Sequence, residues 1–455
     1  MNNRQKATCI EEVAAQVTVE PLRSGDARWV DLTSARSDAD LRHLRILLQD
    51  YANPDSGFAK IAFTGHRGCG KSTELFRLAH DLEEDFVTLH LFADETLIQD
   101  CDYTELMLWL VHSLVNEFKD RGYALDERLV GATVDWFAER AIEDIKIVNT
   151  EIQAEAQAEG AAGGSLYVIK GKLLARLKSM IRGSVERRMS MRRRLQQYAS
   201  ELIDQVNLLL DEAARVLNDN GKQPRLLVIQ DNLDRLPPDT ARRLFITNGD
   251  LLKSLDVHAI YTVPIAITLA PDSISSVFEN CFAMPMVKVT HRDGSPHEEG
   301  LQGLVEGIAE RVDIDSVFTS RDVARRMAEM SGGSVRDLMR LVNYTQLAAR
   351  ADGKAKMDDE AAEQALRKMR IEFERLLIPG EVYYPLLAHV HEKKHSWILN
   401  PERADPQSVQ AAREFFSQLL FNGTVLEYNG EEAWYDVHPV VRDIREFKDA
   451  CQTAD

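Results

Sequence analysis

One stretch, Ile61 to Thr73 (IAFTGHRGCGKST), limits what this chain can fold into more than any other. An apolar, strand-like run, Ile61 to Phe63, stops at Gly65. It is followed by Gly65-x4-Gly70-Lys71-Ser72 and then by a helical pattern from Glu74 to Leu82. That spacing, between a strand and a helix, is the phosphate-binding loop. Gly65, Gly68 and Gly70 allow backbone conformations closed to residues with a Cβ, so successive N–H groups can converge on phosphate oxygens. The positive end of the helix starting at Lys71 adds to the attraction. Lys71 supplies a charge for the β- and γ-phosphates, and Ser72 offers a hydroxyl to Mg²⁺. The nucleotide-contacting set is therefore Gly65, His66, Arg67, Gly68, Cys69, Gly70, Lys71, Ser72 and Thr73. We expect the Lys71 side chain to face solvent when no nucleotide is bound.

A chain of 455 residues holds several domains. The longest apolar run, about Val257 to Ala270, is broken by His258, Thr262 and Pro264, too soon to span a membrane. The N-terminus lacks the apolar core of a secretory signal. Cys9, Cys69, Cys101, Cys281 and Cys451 show neither a metal spacing nor a disulfide pattern. A cytoplasmic location follows as an expectation. A net charge of −18 argues against coating nucleic acid with the whole surface, although a local basic patch remains compatible with contact.

The chain divides into a lead-in over residues 1–57, an α/β core over 58–118 and 216–295, a helical insertion over 119–215, a helical lid over 296–369 and a C-terminal unit over 370–455. The lead-in carries an amphipathic helix at Asp38–Tyr51. Core strands are expected at Ile61–Phe63, Phe86–Phe92, Arg225–Gln230, His258–Thr262 and Met284–Thr290, with helices at Tyr103–Phe118 and Asp239–Leu255. In the insertion, Glu139 to Ala162 is rich in Ala, Glu and Gln and broken by Gly160, Gly163 and Gly164. Between Lys170 and Arg194, ten Lys or Arg residues stand against one acid, Glu186. Such a basic amphipathic arm can meet an anionic membrane, nucleic acid, an acidic partner or the protein's own acidic remainder. We expect an interaction element displayed outside the core.

Leu226 to Ile229 reads as a buried parallel strand ending in Asp231, where a carboxylate can complete the Mg²⁺ site with Ser72. Asp234 is the remaining acid placed to orient or deprotonate water, or else it caps a turn. Thr262, near the end of the next strand, is a candidate γ-phosphate sensor. In the C-terminal unit, helical stretches at Ile371–Lys393 and Ser408–Phe421 precede a hairpin, Thr424–Tyr428 and Ala433–Val437, turning at Asn429-Gly430. That order reads as a winged helix. His389, His391 and His395 lack an acid or cysteine to complete a metal set.

These motifs resemble a P-loop ATPase of the AAA+ and STAND type, with KAP-like and origin-recognition-like features. The carriers are GHRGCGKSTEL at 65–75, LLVIQDNLDRL at 226–236, SGGSVRDLMRLV at 331–342 and YDVHPVVRDI at 435–444. The resemblance implies ATP and Mg²⁺ as cofactors, and Arg336 as a sensor arginine from the lid. It also implies that His438 reaches the diphosphate, although Pro439 replaces the usual aspartate. Asn232 stands where most AAA+ ATPases carry the catalytic glutamate. The D-x-x-D arrangement of STAND and KAP-type ATPases gives that task to Asp234, or hydrolysis is slow. Two function classes follow. One is a nucleotide-dependent switch acting as an oligomer or with a separate effector or sensor, in a bacterial defence or mobile-element setting. The other is an origin-recognition-like protein binding DNA through its winged helix and basic arm.

Overall fold

The computed structural model of the chain describes residues 6–36, 40–53, 56–142, 148, 150–152, 166–181, 183–219, 225–269, 274–378, 380–394, 406–428 and 433–453. Its centre is a five-stranded sheet in the order β2-β3-β4-β1-β5. The strands are β1 (Lys60–Gly65), β2 (Phe86–Phe92), β3 (Arg225–Asp231), β4 (His258–Pro264) and β5 (Asn280–Met284). Every pairing is parallel. Strand β4 therefore separates the P-loop strand from the acid-bearing strand, the arrangement of the P-loop NTPase fold expected from the motifs. Helices α1 (Asp40–Tyr51) and α2 (Lys71–Asp81) pack their apolar stripes, Leu44, Leu48, Leu75 and Leu78, into one cluster with Phe63 and Ile229.

Two expected elements differ. The fifth strand ends where Met284–Thr290 was expected to begin, because its ladder partner runs out. Gly65 pairs with Met284, and beyond it β1 turns into the phosphate loop. The expected helix Asp239–Leu255 is broken. It runs as Pro238–Arg242, a π-helical turn over Arg243–Thr247, and Gly249–Lys253. Gly249 sits against Val277, where a Cβ would come within 2.5 Å of Cγ1, so close packing rather than propensity sets that break.

The core helix α3 (Tyr103–Asp120) leads into the insertion, which is built from α4 (Glu127–Ala141), α5 (Leu166–Ile181), α6 (Val185–Gln196) and α7 (Ala199–Asp219). Most of Glu139–Ala162, its glycine breaks and Arg182 lie outside the described residues. The expectation of a basic arm displayed outside the core is corrected here, in favour of packing against the protein's own acids. Leu173, Leu177, Met191 and Leu195 join the same apolar cluster as Leu106, Leu110 and the sheet residues Val228 and Tyr261. Arg192 Nη2 donates to both carboxylate oxygens of Glu105 at 3.0 Å and pairs with Asp100 at 3.1 Å. Arg188 also pairs with Asp100, at 3.4 Å. The charges on this face of α6 are thus neutralised by acids at the start of α3, while Arg187 and Arg193 stay exposed. The basic helix is an internal strut with one solvated side.

The lid comprises α8 (Glu298–Ala309), α9 (Arg321–Met330), α10 (Val335–Ala351) and α11 (Asp359–Leu376). The C-terminal unit follows with α12 (Gly380–Lys393), α13 (Pro406–Asn422), an antiparallel hairpin of β6 (Val425–Tyr428) and β7 (Trp434–Val437), α14 (Pro439–Arg442) and α15 (Arg445–Thr453). The turn at Asn429-Gly430 and His395 lie outside the described residues. Leu426, Tyr428 and Trp434 share a cluster with Phe63, Cys69, Met284 and Met286, so the hairpin packs on the sheet beside the phosphate loop. Among the described residues no helix is long and apolar enough to cross a membrane.

The α6 strut gives a stability test. Glu105 is fully buried, so Arg192→Met strands a buried carboxylate and is expected to destabilise the chain by about 3–5 kcal/mol. Arg193→Met, on the exposed side, should stay within about 0.5 kcal/mol. Urea unfolding midpoints of the two variants measure the difference.

Candidate nucleotide-binding site

The phosphate loop runs from the end of β1 to the start of α2 and is gripped from several sides. Gly68 and Gly70 have φ of 87° and 109°, in the left-handed region. At Gly68 a Cβ would lie 2.7 Å from both Arg336 Cβ and Ser334 Oγ, because the N-terminus of α10 rests on the loop. The Arg336 N–H donates to the Gly68 carbonyl at 3.2 Å. Ser334 caps α10 by accepting from the Asp337 N–H at 3.2 Å, which fixes where Arg336 begins.

Lys71 does not face solvent. It is only 5 % exposed, donates to the Gly65 and His66 carbonyls at 2.9 and 2.8 Å, and pairs with Asp234 at 2.8 Å. Burial works to lower its pKa, but the Asp234 carboxylate together with Cys69 and Asp231 outweighs that and holds it raised. Removing Lys71 would leave Asp234 buried without this partner, so Lys71→Ala would disturb the empty site as well as nucleotide binding. Asp231 is buried at the end of β3. One of its oxygens accepts from the Asn232 N–H at 2.7 Å, and the other lies 3.2 Å from His90 Nε2. Burial pushes its pKa up, but His90, the Asn232 N–H and the Ser72 hydroxyl pull it down and prevail. Ser72 and Asp231 thus form a pair of oxygen donors that suits Mg²⁺. Asn232 takes a left-handed φ of 66°, which turns the chain and carries Asp234 back to Lys71.

A cleft of about 1010 Å³, counting the part open to solvent, lies over the loop. Gly68, Gly70, Lys71, Ser72, Thr73, Asn232, Asp234 and Arg336 line it. Other expected contacts point elsewhere. The Thr262 hydroxyl lies within the sheet, where it accepts from the Leu233 N–H at 3.1 Å and lies 3.4 Å from the Gln230 carbonyl. It braces the turn that carries Asp234 instead of lining the cleft. His438 is corrected in the same way. It caps α14 by accepting from the Val440 N–H at 3.3 Å, packs on the Phe373 ring at 4.6 Å, and lies behind Gly332. Burial lowers its pKa to about 4.

His66 and Arg67 turn towards the C-terminal unit. His66 Nε2 accepts from the Glu427 N–H of β6 at 2.8 Å, so this ring is neutral, and burial lowers its pKa to about 3. The Arg67 guanidinium sits 4.1 Å from the Phe421 ring centroid and donates to the Arg235 carbonyl at 2.8 Å. Tyr428 of β6 donates to the Gly332 carbonyl at 2.8 Å, tying the hairpin to the lid as well.

The sequence reading missed the opposite wall. Thr18 to Leu22, Arg28, Trp29 and Arg36 of the lead-in line the cleft, facing Gly303, Gly307 and Arg311 of the lid. The Leu22 N–H donates to Thr73 Oγ1 at 3.1 Å, and Trp29 Nε1 donates to Glu74 at 3.3 Å. Arg77 lies 3.5 Å from the Trp29 ring centroid, on one face of that ring. A tryptophan and two arginines in a segment without helical or strand periodicity were the available signal.

Residues 51–261 match the model of the KAP family P-loop domain, from before β1 into β4 and across the insertion. The core has the P-loop NTPase fold, and over this stretch it resembles the KAP type. Among solved structures, the chain is similar to the ORC2 protein of Aeropyrum pernix in ADPNP–ADP complexes, with 12 % identity, 91 % of this chain and 93 % of that one covered, and a TM-score of 0.40. CDC6P of Pyrobaculum aerophilum gives 12 %, 91 %, 93 % and 0.37. The RuvB Holliday junction branch migration motor of Thermotoga maritima gives 11 %, 90 %, 95 % and 0.36. These likenesses are loose, and the fold rests on the sheet order and the loop. No curated protein gives a match.

The Lys71–Asp234 pair sets an expectation for the site. Asp234→Asn removes the carboxylate that competes with phosphate for Lys71, so nucleotide affinity should hold or rise severalfold. If Asp234 is the general base, hydrolysis should fall by at least about a hundredfold, the low end for losing one. Calorimetric titration with ADP and a phosphate-release assay read the two effects separately.

Proposed function

We propose that this protein is an ATP-dependent switch. It binds ATP with Mg²⁺, hydrolyses it slowly, and signals the state of the site through its C-terminal unit, read as a winged helix. The observation that carries this reading is the hydrogen bond between the Glu427 N–H and His66 inside the phosphate loop. A loop that closes on phosphates through its own N–H groups changes shape or rigidity when it does so. An element hydrogen-bonded to that loop is biased by the change.

In this reading the N–H groups from Gly68 to Thr73 and the Lys71 ammonium hold the phosphates. Arg336, a planar donor that stays charged, meets the γ-phosphate from the lid. Ser72 and Asp231 would hold Mg²⁺, which would offset phosphate charge. Asp234, released from Lys71 as phosphate takes that ammonium, accepts the proton of the attacking water. A water O–P bond forms at the γ-phosphorus, the bond to the β-phosphate oxygen breaks, and ADP and phosphate result. Asn232 cannot take a proton, which supports slow turnover.

The DNA-binding reading is less well supported. Helix α13 carries only Arg413 as a cation, beside Glu414, and packs beside Ile265–Ile267 of the core. A phosphate-reading surface would be basic and open.

Tyr428→Phe tests the switch from the hairpin side without touching the loop. Loss of the bond to Gly332 should loosen the docked hairpin and speed ADP release by about fivefold or more, the factor that corresponds to about 1 kcal/mol for one hydrogen bond. Stopped-flow release of a fluorescent ADP measures it. An unchanged rate, with the hairpin still folded, would count against coupling.

A further inference from the structure

The lead-in places one buried cation against the phosphate loop that neither the motifs nor the reaction above employ. Arg36, at the end of the short helix Thr33–Arg36, is 2 % exposed. Its Nη2 donates to the Cys69 carbonyl at 2.6 Å. The same nitrogen would lie 3.4 Å from a Cβ at Gly70, so the guanidinium sits directly against the Cys69–Gly70 peptide. Its Nε and Nη1 are buried without a hydrogen-bond partner. Asp31 senses its charge, yet Arg36 makes no ion pair among the described residues.

A buried guanidinium without a carboxylate is costly, and structures keep one where it is needed. The peptide geometry indicates the need. A trans peptide is planar, so its C=O and N–H point to opposite sides. Holding the Cys69 oxygen from one side therefore directs the Gly70 N–H to the other. Gly70, with φ of 109°, has a backbone that could otherwise flip, because no Cβ restrains it.

We propose that Arg36 is a positioning residue of the phosphate loop, clamping the Cys69–Gly70 peptide so that the Gly70 N–H faces the β-phosphate of a bound nucleotide. This rests on the nucleotide-binding reading above. The role differs from that of Arg336, which meets the loop at Gly68 and is assigned to the γ-phosphate. Arg36 serves ADP and ATP equally and has no part in binding AMP, which lacks the β-phosphate. The clamp also links the lead-in to the loop.

The test is calorimetric titration of the full chain, as wild type, Arg36→Met and Arg36→Lys, with ADP, ATP and AMP in Mg²⁺, together with melting of each nucleotide-free variant. The expected result is a loss of about tenfold or more in ADP and ATP affinity for Arg36→Met, by the same factor for both. AMP affinity should stay within about twofold, and Arg36→Lys, which keeps a donor and the charge, should recover part of the loss. Equal losses for AMP and ADP would mean that Arg36 merely supports the fold of the lead-in, and unchanged ADP affinity would mean that the peptide needs no clamp. Either overturns the proposal. If Arg36→Met fails to fold, Arg36→Lys decides by the same ratio of ADP to AMP losses. A wild-type chain that binds no nucleotide overturns the parent reading, an outcome distinct from both.

Discussion

The Lys71–Asp234 ion pair is the interaction on which the site depends. It lies in the wall of the cleft, with both side chains nearly out of water. A buried ammonium with two carbonyls and a carboxylate around it is satisfied, so the loop keeps its shape without a ligand. In the proposed mechanism a phosphate competes with that carboxylate, and its success frees Asp234 for a different task. The same pair thus keeps the resting site intact and turns nucleotide entry into a rearrangement at the γ-phosphate end. The brace from Thr262 to Leu233 and the left-handed Asn232 hold Asp234 where this exchange can happen.

Around that pair the loop is held from three directions by parts of the chain far apart in sequence. The lead-in reaches Cys69 through Arg36 and Thr73 through Leu22. The lid meets Gly68 with the start of α10, and the hairpin meets His66 with Glu427. Since each contact lies within one short loop, a change in loop geometry is felt by all three. Tyr428, bonded to Gly332, makes hairpin and lid respond together.

Legibility in the sequence followed locality. The loop, Asp231 and the hairpin strands were readable because glycine spacing, an acid ending an apolar run and two short alternating segments are local signals. Arg336 was placed by a resemblance in the SGGS run, and in the fold the start of α10 rests on Gly68. What failed depended on distant contacts. His438 and Thr262 have the right chemistry, but packing commits them to α14 and to the turn after β3. The basic arm looked free because Asp100 and Glu105, the acids that receive Arg188 and Arg192, lie before the insertion in sequence. Arg36 has no local signature, since only the folded chain brings it to Cys69.

The central claim is that the C-terminal unit senses the phosphate loop through β6. Hydrogen exchange at the Glu427 amide and along the hairpin, in the nucleotide-free, ADP-bound and non-hydrolysable-ATP-bound chain, tests it most directly. The account predicts different protection of Glu427 in the ADP and ATP states, spreading to Tyr428 and β7, while the core strands β3 and β4 stay unchanged. Identical hairpin protection in all three states, with nucleotide demonstrably bound, would contradict it.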